Sequence, residues 1–159
     1  MQPRTSNRLI LVSSCLLGLK TRYDATDNYS QAVADFLTRQ KLTPIPVCPE
    51  QLGGLPTPRP KCWFNHGDGK TTLENKGSLC DEHGNNPTMA FIHGAEETLK
   101  IARMTNCRMA ILQQRSPSCG SESIYLNAAL TKGMGVTTAL LKENGLEIFG
   151  DDNLPVENR

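Results

Sequence analysis

Two short apolar runs limit the architecture of this chain more than any other feature. Leu9-Ile10-Leu11-Val12-Ser13 and Met109-Ala110-Ile111-Leu112 show no alternation with polar residues. A strand with one wet face alternates, so runs like these belong to strands covered on both faces, as in a parallel sheet with helices on either side. Helical periodicity fills the intervals. Ser30 to Gln40 carries Ala32, Val33, Phe36 and Leu37 near helical spacing. Thr88, read as an N-cap, opens a segment with Ala90, Phe91, Ala95, Leu99 and Ala102 that ends near Asn106. Val136 to Asn144 is a short helix stopped by Gly145. Thr43-Pro44-Ile45-Pro46-Val47 is extended, because two prolines forbid a helix and tolerate only an edge or the start of a strand. Leu146-Glu147-Ile148-Phe149 is a last strand.

This alternation predicts an α/β fold: a single-domain three-layer sandwich with a mainly parallel, Rossmann-like sheet. One domain, 1–159, is expected, with a core over about 8–150 and a polar, frayed tail over 151–159. From Gln51 to Asn86 glycines and prolines abound and periodicity fades, which predicts a long functional loop carrying a small hairpin. Lys plus Arg number 17 and Asp plus Glu 16, a net charge of +1. That balance supplies no field for long nucleic acid or an anionic membrane, although one small charged ligand needs only one or two cations. No run approaches the roughly 18 apolar residues of a membrane span. The basic start, Met1 to Arg8, precedes an apolar run too short for a secretion signal. A cytoplasmic location follows, where the six cysteines are thiols, metal ligands or catalytic groups rather than disulfides.

Position separates those cysteines better than spacing does. Cys15 lies two residues past the first strand, Cys48 directly follows the second, and Cys119 follows the third by the loop Gln113 to Ser118. In an open α/β sheet ligands bind outside the carboxyl ends of the strands, so these three can converge. Taken singly, a free cysteine is as often core filling. Paired C-x₂-C zinc spacing and the closely spaced ferredoxin run are both absent, so spacing alone does not choose a metal. Cys62, Cys80 and Cys107 fit less well and are read as packing or incidental thiols. Arg22, Arg59 and Arg115 are candidate ligands for a phosphate, and Tyr23 is a candidate to stack on a base; each is otherwise a surface residue. Gly133-Met134-Gly135 opens a helix, a weak dinucleotide signal whose helix N-terminus suits an anion.

Longer strings are more specific. Leu11-Val12-Ser13-Ser14-Cys15-Leu16-Leu17-Gly18 with Arg22-Tyr23-Asp24 resembles the opening of the thiouracil desulfurase (thiouridylate desulfidase) family. Val47-Cys48-Pro49-Glu50-Gln51-Leu52-Gly53-Gly54-Leu55 with Thr57-Pro58-Arg59, Phe91 to Leu99, Arg115-Ser116-Pro117-Ser118-Cys119-Gly120 and Gly135-Val136-Thr137 resemble its later blocks. The resemblance spans roughly residues 8–150, and only the stretch between Cys62 and Cys80 departs from the family's pattern. It implies a [4Fe–4S] cluster held by Cys15, Cys48 and Cys119, with the fourth iron open to substrate sulfur. It implies removal of sulfur from thiouracil or 4-thiouridine monophosphate, a small-molecule partner, and catalytic positions at Glu50 and Ser116. An open iron is a soft Lewis acid for sulfur, and Glu50, two residues from Cys48, is placed to deprotonate water. Ser116 is a donor to the ring or a proton relay, or else a turn residue before Pro117. Two rival readings stand beside this one: a non-enzymatic iron–sulfur or zinc redox or sensor module, and a metal-free nucleotide-binding domain. The oligomeric state is not legible in the sequence.

Overall fold

The computed structural model describes residues 8–156, so what was read for residues 1–7 and 157–159 lies outside it. The chain runs through β1 (Arg8–Ser13), a 3₁₀ turn (Ser14–Leu17), α1 (Gln31–Arg39), β2 (Leu42–Val47), α2 (Pro49–Leu52), β3 (Cys62–His66) and α3 (Gly69–Leu73). It continues through β4 (Ser78–Asp81), α4 (Thr88–Thr105), β5 (Met109–Leu112), β6 (Ser123–Leu126), β7 (Ala129–Lys132), α5 (Val136–Glu143) and β8 (Glu147–Gly150).

The apolar runs become the middle of an all-parallel sheet ordered β2-β1-β5-β8. Its two faces split the runs residue by residue. Ile10, Val12 and Ile111 pack with Val33, Phe36 and Leu37 of α1 on one face. Leu11, Ala110 and Leu112 pack with Leu99 and Ala102 of α4 and Leu141 of α5 on the other. Each large side chain buried this way contributes about 1.5–3 kcal/mol. The proline-bearing strand, β2, takes the sheet edge, where a missing N–H costs no ladder bond. Ser30 caps α1 by accepting a hydrogen bond from Val33 N.

The predicted α/β layers are present, and a second sheet adds a fourth. It is ordered β4-β3-β6-β7, with β3 parallel to β6 and the outer pairs antiparallel. Phe64, Leu79 and Ile124 from this sheet pack on Phe91 and Ala95 of α4 and Val136 of α5. Helices α4 and α5 are thus covered on two sides. Part of the region expected to be a loop supplies β3, α3 and β4. The β6–β7 hairpin was not foreseen. It turns through Asn127-Ala128, where Asn127 takes φ 51°, and asparagine rather than glycine supplies the left-handed residue.

Two local expectations are corrected. Thr88 is the first residue of α4 rather than its cap, which is Pro87. The Thr88 hydroxyl accepts from Leu79 N and so ties α4 to β4. The start of the tail is fastened rather than frayed: Asp151 Oδ1 accepts from Gln114 N at 2.8 Å, and Leu154 packs on the core around Phe36. Among the described residues no helix is long and apolar enough to cross a membrane.

Candidate active site

The strand order locates the site. From β1 the chain crosses through α1 to β2 on one side, then returns through α4 to β5 on the other. The crossover direction therefore reverses between β1 and β5, and ligands of doubly wound sheets bind outside the strand ends at such a switch point. A cavity of about 370 Å³ opens there, within the usual range of roughly 300–1,000 Å³ for small-molecule sites. Cys15, Cys48 and Cys119 all line it, with Glu50, Ser116, Arg22, Tyr23, Arg59 and Arg115. Every residue named in the sequence as a cluster, catalytic or substrate candidate lines this one cavity.

Local structure fixes each thiol. Cys15 sits in the 3₁₀ turn directly after β1, and the turn ends at Gly18, whose φ of 93° suits glycine. Cys48 is the N-cap residue of α2, with Pro49 at the first helical position and Glu50 in the first turn. A short α2 needs an anchor, and α4 supplies it: a side chain at Gly94 would collide with the Pro49 carbonyl oxygen. Cys119 closes the loop after β5. Ser116 Oγ accepts from Ser118 N and Cys119 N, both at 3.2 Å. With its oxygen so engaged, the Ser116 hydroxyl proton is left to donate into the cavity. Val136 N and Thr137 N donate to the carbonyls of Pro117 and Ser118, and Thr138 Oγ1 donates to Cys119 O at 2.9 Å. The N-terminus of α5, read as a possible anion site, thus holds this loop instead. Strand β7 directly precedes Gly133-Met134-Gly135.

Burial and proximity govern the ionisation of these groups. Burial pushes the Cys15 thiol from 9.0 up to about 12, the neighbouring Cys48 adds to the rise, and Arg22 opposes it. Burial also raises Cys119; a hydrogen bond from Ser13 pulls back, while Cys15, Cys48 and Glu50 push it further. Cys15 and Cys119 therefore feel their neighbours, and both resist becoming lone buried anions. Among the described residues no three His, Cys, Asp or Glu side chains converge tightly enough to hold a single metal ion. The donor set suits a polynuclear centre in which each thiolate takes its own metal and each charge is neutralised where it forms.

Glu50 and Arg59 form a buried pair. Arg59 Nε donates to Glu50 Oε1 at 3.2 Å, with side chains 3% and 14% exposed. Its other nitrogens donate to Thr21 O at 2.9 Å, Thr57 Oγ1 at 2.8 Å and Pro56 O at 3.3 Å. Arg59, a candidate phosphate ligand in the sequence, has its donors engaged inside the protein, on the carboxylate and the loops around it. Arg22 lies 5.8 Å from the centre of the Tyr23 ring, and Arg115 stands exposed at φ 66°.

Several lining residues escaped the sequence reading. Lys61, Cys62 and Tyr125 come from the second sheet and the segment entering it. Cys62, expected to be incidental, is half-buried beside Glu50; burial, then Glu50 and Asp81, push its thiol up to about 12 against the pull of Arg59. Cys107, by contrast, packs in the core with Leu99 and Ala110 as expected of a filler, and Cys80 lies on β4 away from the cavity lining. Ser13 and Gln113 also line the site; Ser13 ends β1 and Gln113 directly follows β5.

The fold and this cavity define a doubly wound α/β protein with a thiol-lined ligand site at its switch point. The 2-thiouracil desulfurase family model matches residues 10–153. The chain belongs to that family. It is 36% identical over 149 residues to the uncharacterized protein YbbK of Bacillus subtilis (strain 168), a match covering 92% of this chain and 97% of YbbK. Among solved structures it is similar to the [4Fe-4S]-dependent thiouracil desulfidase TudS, with a TM-score of 0.76, 36% identity and 91% of each chain covered.

Proposed function

We propose that the protein is a cytoplasmic [4Fe–4S]-dependent desulfidase that replaces the sulfur of a thiolated pyrimidine, thiouracil or 4-thiouridine monophosphate, with oxygen and releases hydrogen sulfide. The observation that carries this reading is the convergence of Cys15, Cys48 and Cys119 beside Glu50 and Ser116 at the switch point of the sheet. The three cysteines would hold the cluster. When bound, it supplies a soft Lewis acid at an iron without a protein thiolate, which draws electrons from a thiocarbonyl and accepts its sulfur.

The side chains supply the rest. Arg59 engages Glu50 Oε1 and fixes the carboxylate, so Glu50 Oε2 takes the proton of the attacking water. Ser116, its oxygen held by two backbone N–H groups, donates its proton to the ring of the substrate. Tyr23 and Tyr125 flank the cavity with aromatic surface, and Arg22, Lys61 and Arg115 gather positive charge along it. That charge favours the monophosphate over the free base. The partner is a small molecule and not a long nucleic acid.

The test is sulfide release from thiouracil and from 4-thiouridine monophosphate by protein reconstituted anaerobically with iron and sulfide. Release that depends on cluster content, with a lower KM for the monophosphate, is expected. Turnover by colourless, iron-free protein would overturn the proposal.

A further inference from the structure

The cavity holds a second carboxylate that the reaction described above does not use. Asp151 directly follows β8 and lines the cavity with the three cysteines. Gly150 of β8 pairs with Leu112 of β5, so Asp151 stands beside the end of β5, two strands from β1 and three from β2. At about 4.8 Å per strand, that is roughly 10 Å from the strand that leads to Cys15 and roughly 14 Å from the one that leads to Cys48 and Glu50. The two carboxylates occupy opposite ends of the strand edge. Backbone and packing hold Asp151 in place. Its Oδ1 accepts from Gln114 N at 2.8 Å. The buried Gln114 side chain is itself fixed, donating to Ser121 Oγ and accepting from Ser121 N and Glu122 N. Asn153 N donates to Gly150 O and closes the turn. A carboxylate has about four acceptor sites, and among the described residues Gln114 N is the one donor to Asp151, which leaves Oδ2 to a ligand.

Resting on the proposed function, we infer that Asp151 accepts hydrogen bonds from the ribose hydroxyls of a nucleotide substrate and makes the site select ribonucleotides over deoxyribonucleotides. An ionised carboxylate only accepts. It repels a phosphate and gives nothing to a ring carbonyl, whereas two vicinal hydroxyls bring a proton to each of its oxygens. An acid beyond a strand end serves the ribose in the same way in dinucleotide-binding sheets. The neighbouring charge agrees with this placement. Arg115 directly follows Gln114 and lines the same cavity, and among the described residues it forms no ion pair with Asp151. Acceptor and cation are therefore adjacent, as ribose and phosphate are adjacent in a nucleotide. With the substrate sulfur among the thiols, the sugar falls towards β8 and the phosphate towards Arg115.

The experiment measures binding of the reaction product, uridine 5′-monophosphate, and of 2′-deoxyuridine 5′-monophosphate by isothermal titration calorimetry. It uses anaerobically reconstituted full-length protein, wild type and Asp151→Asn. Asparagine keeps an oxygen for Gln114 N and removes the charge. Wild type should bind the ribonucleotide about tenfold to a hundredfold more tightly, the span of a hydrogen bond to a charged group. In Asp151→Asn that ratio should fall to within a few-fold of one. A substitution that weakens both nucleotides equally and keeps their ratio would overturn the inference, because Asp151 would then serve the fold or the ring. Wild type that shows no preference, or binds neither nucleotide, would overturn it without any variant. Sulfide release from 4-thiouridine monophosphate is read separately on the wild type. Ribose preference without sulfide release supports the role of Asp151 and defeats the proposed function, whereas sulfide release without the preference defeats the role of Asp151 alone.

Discussion

Glu50→Gln separates the chemistry of the site from its architecture. Glutamine keeps the length of the side chain and an oxygen for Arg59 Nε, and it removes the basicity. The structural cost is limited, because Arg59 retains Thr21 O, Thr57 Oγ1 and Pro56 O. Arg59 stays charged, so its bond to the glutamine oxygen is still charge-assisted; what goes is its counter-charge, at a cost of roughly 1–2 kcal/mol, less than the ~3–5 kcal/mol of removing a buried partner outright. For a chain of 159 residues this lowers Tm by about 2–8 °C. The expected loss in turnover is about 10²- to 10⁴-fold, or roughly 3–5 kcal/mol of barrier. The assay measures iron per chain, thermal melting, KM and kcat on one anaerobic preparation. A loaded, folded variant with kcat down at least about a hundredfold agrees with the base role. A loaded variant within a few-fold of wild type would remove Glu50 from proton transfer and reduce it to a partner of Arg59.

Other outcomes follow from the same geometry. Cys15→Ala, Cys48→Ala and Cys119→Ala should each abolish iron retention measured by elemental analysis, whereas Cys80→Ala and Cys107→Ala stay near wild type; Cys62→Ala should hold iron but alter KM, since the residue lines the cavity. Gly94→Ala drives a methyl group into the Pro49 carbonyl and displaces α2, costing about 1–3 kcal/mol in a urea melt and lowering kcat; unchanged stability and activity would refute the close packing. Arg115→Gly relieves a residue held at φ 66°, so stability should not fall while KM for the monophosphate rises; an unchanged KM would remove Arg115 from phosphate binding. In the iron-free protein the Cys15 thiol is raised from 9.0 to about 12. Folding therefore favours its neutral form, and this stabilisation is full below pH 9 and lost as pH climbs from 9 towards 12, at up to about 1.4 kcal/mol per pH unit. Urea midpoints that do not fall between pH 9 and 11 would contradict that.

The parallel sheet was legible because its two central strands are buried on both faces and so carry unbroken apolar runs. The cysteine convergence was legible for a related reason: once those runs are strands, their carboxyl ends share one edge. The second sheet was harder to read. Its strands are four or five residues long, and Phe64, Leu79 and Ile124 bury one face only, so each shows too few periods to stand out from loop sequence. What depends on that sheet was lost with it, including Lys61, Tyr125 and the cavity position of Cys62. Arg59 shows another limit. Residue type announced a cation near the site, but whether its nitrogens face solvent or a carboxylate depends on how residues 56–59 fold back over Glu50, and no local pattern reports that.

The two prolines of β2 also bear on self-association. Pro44 and Pro46 are two residues apart and pair with Ile10 and Val12 of β1, so neither backbone nitrogen can serve the ladder and both belong to the open side of the strand. On that side the sheet offers carbonyls with two of its donors deleted. A strand from a second molecule approaching this edge would find no continuous row of N–H groups to zip against. The protection is covalent, so it persists when the cavity is empty and when α1 breathes, and it should make the cluster-free chain resistant to edge-to-edge polymerisation along β2.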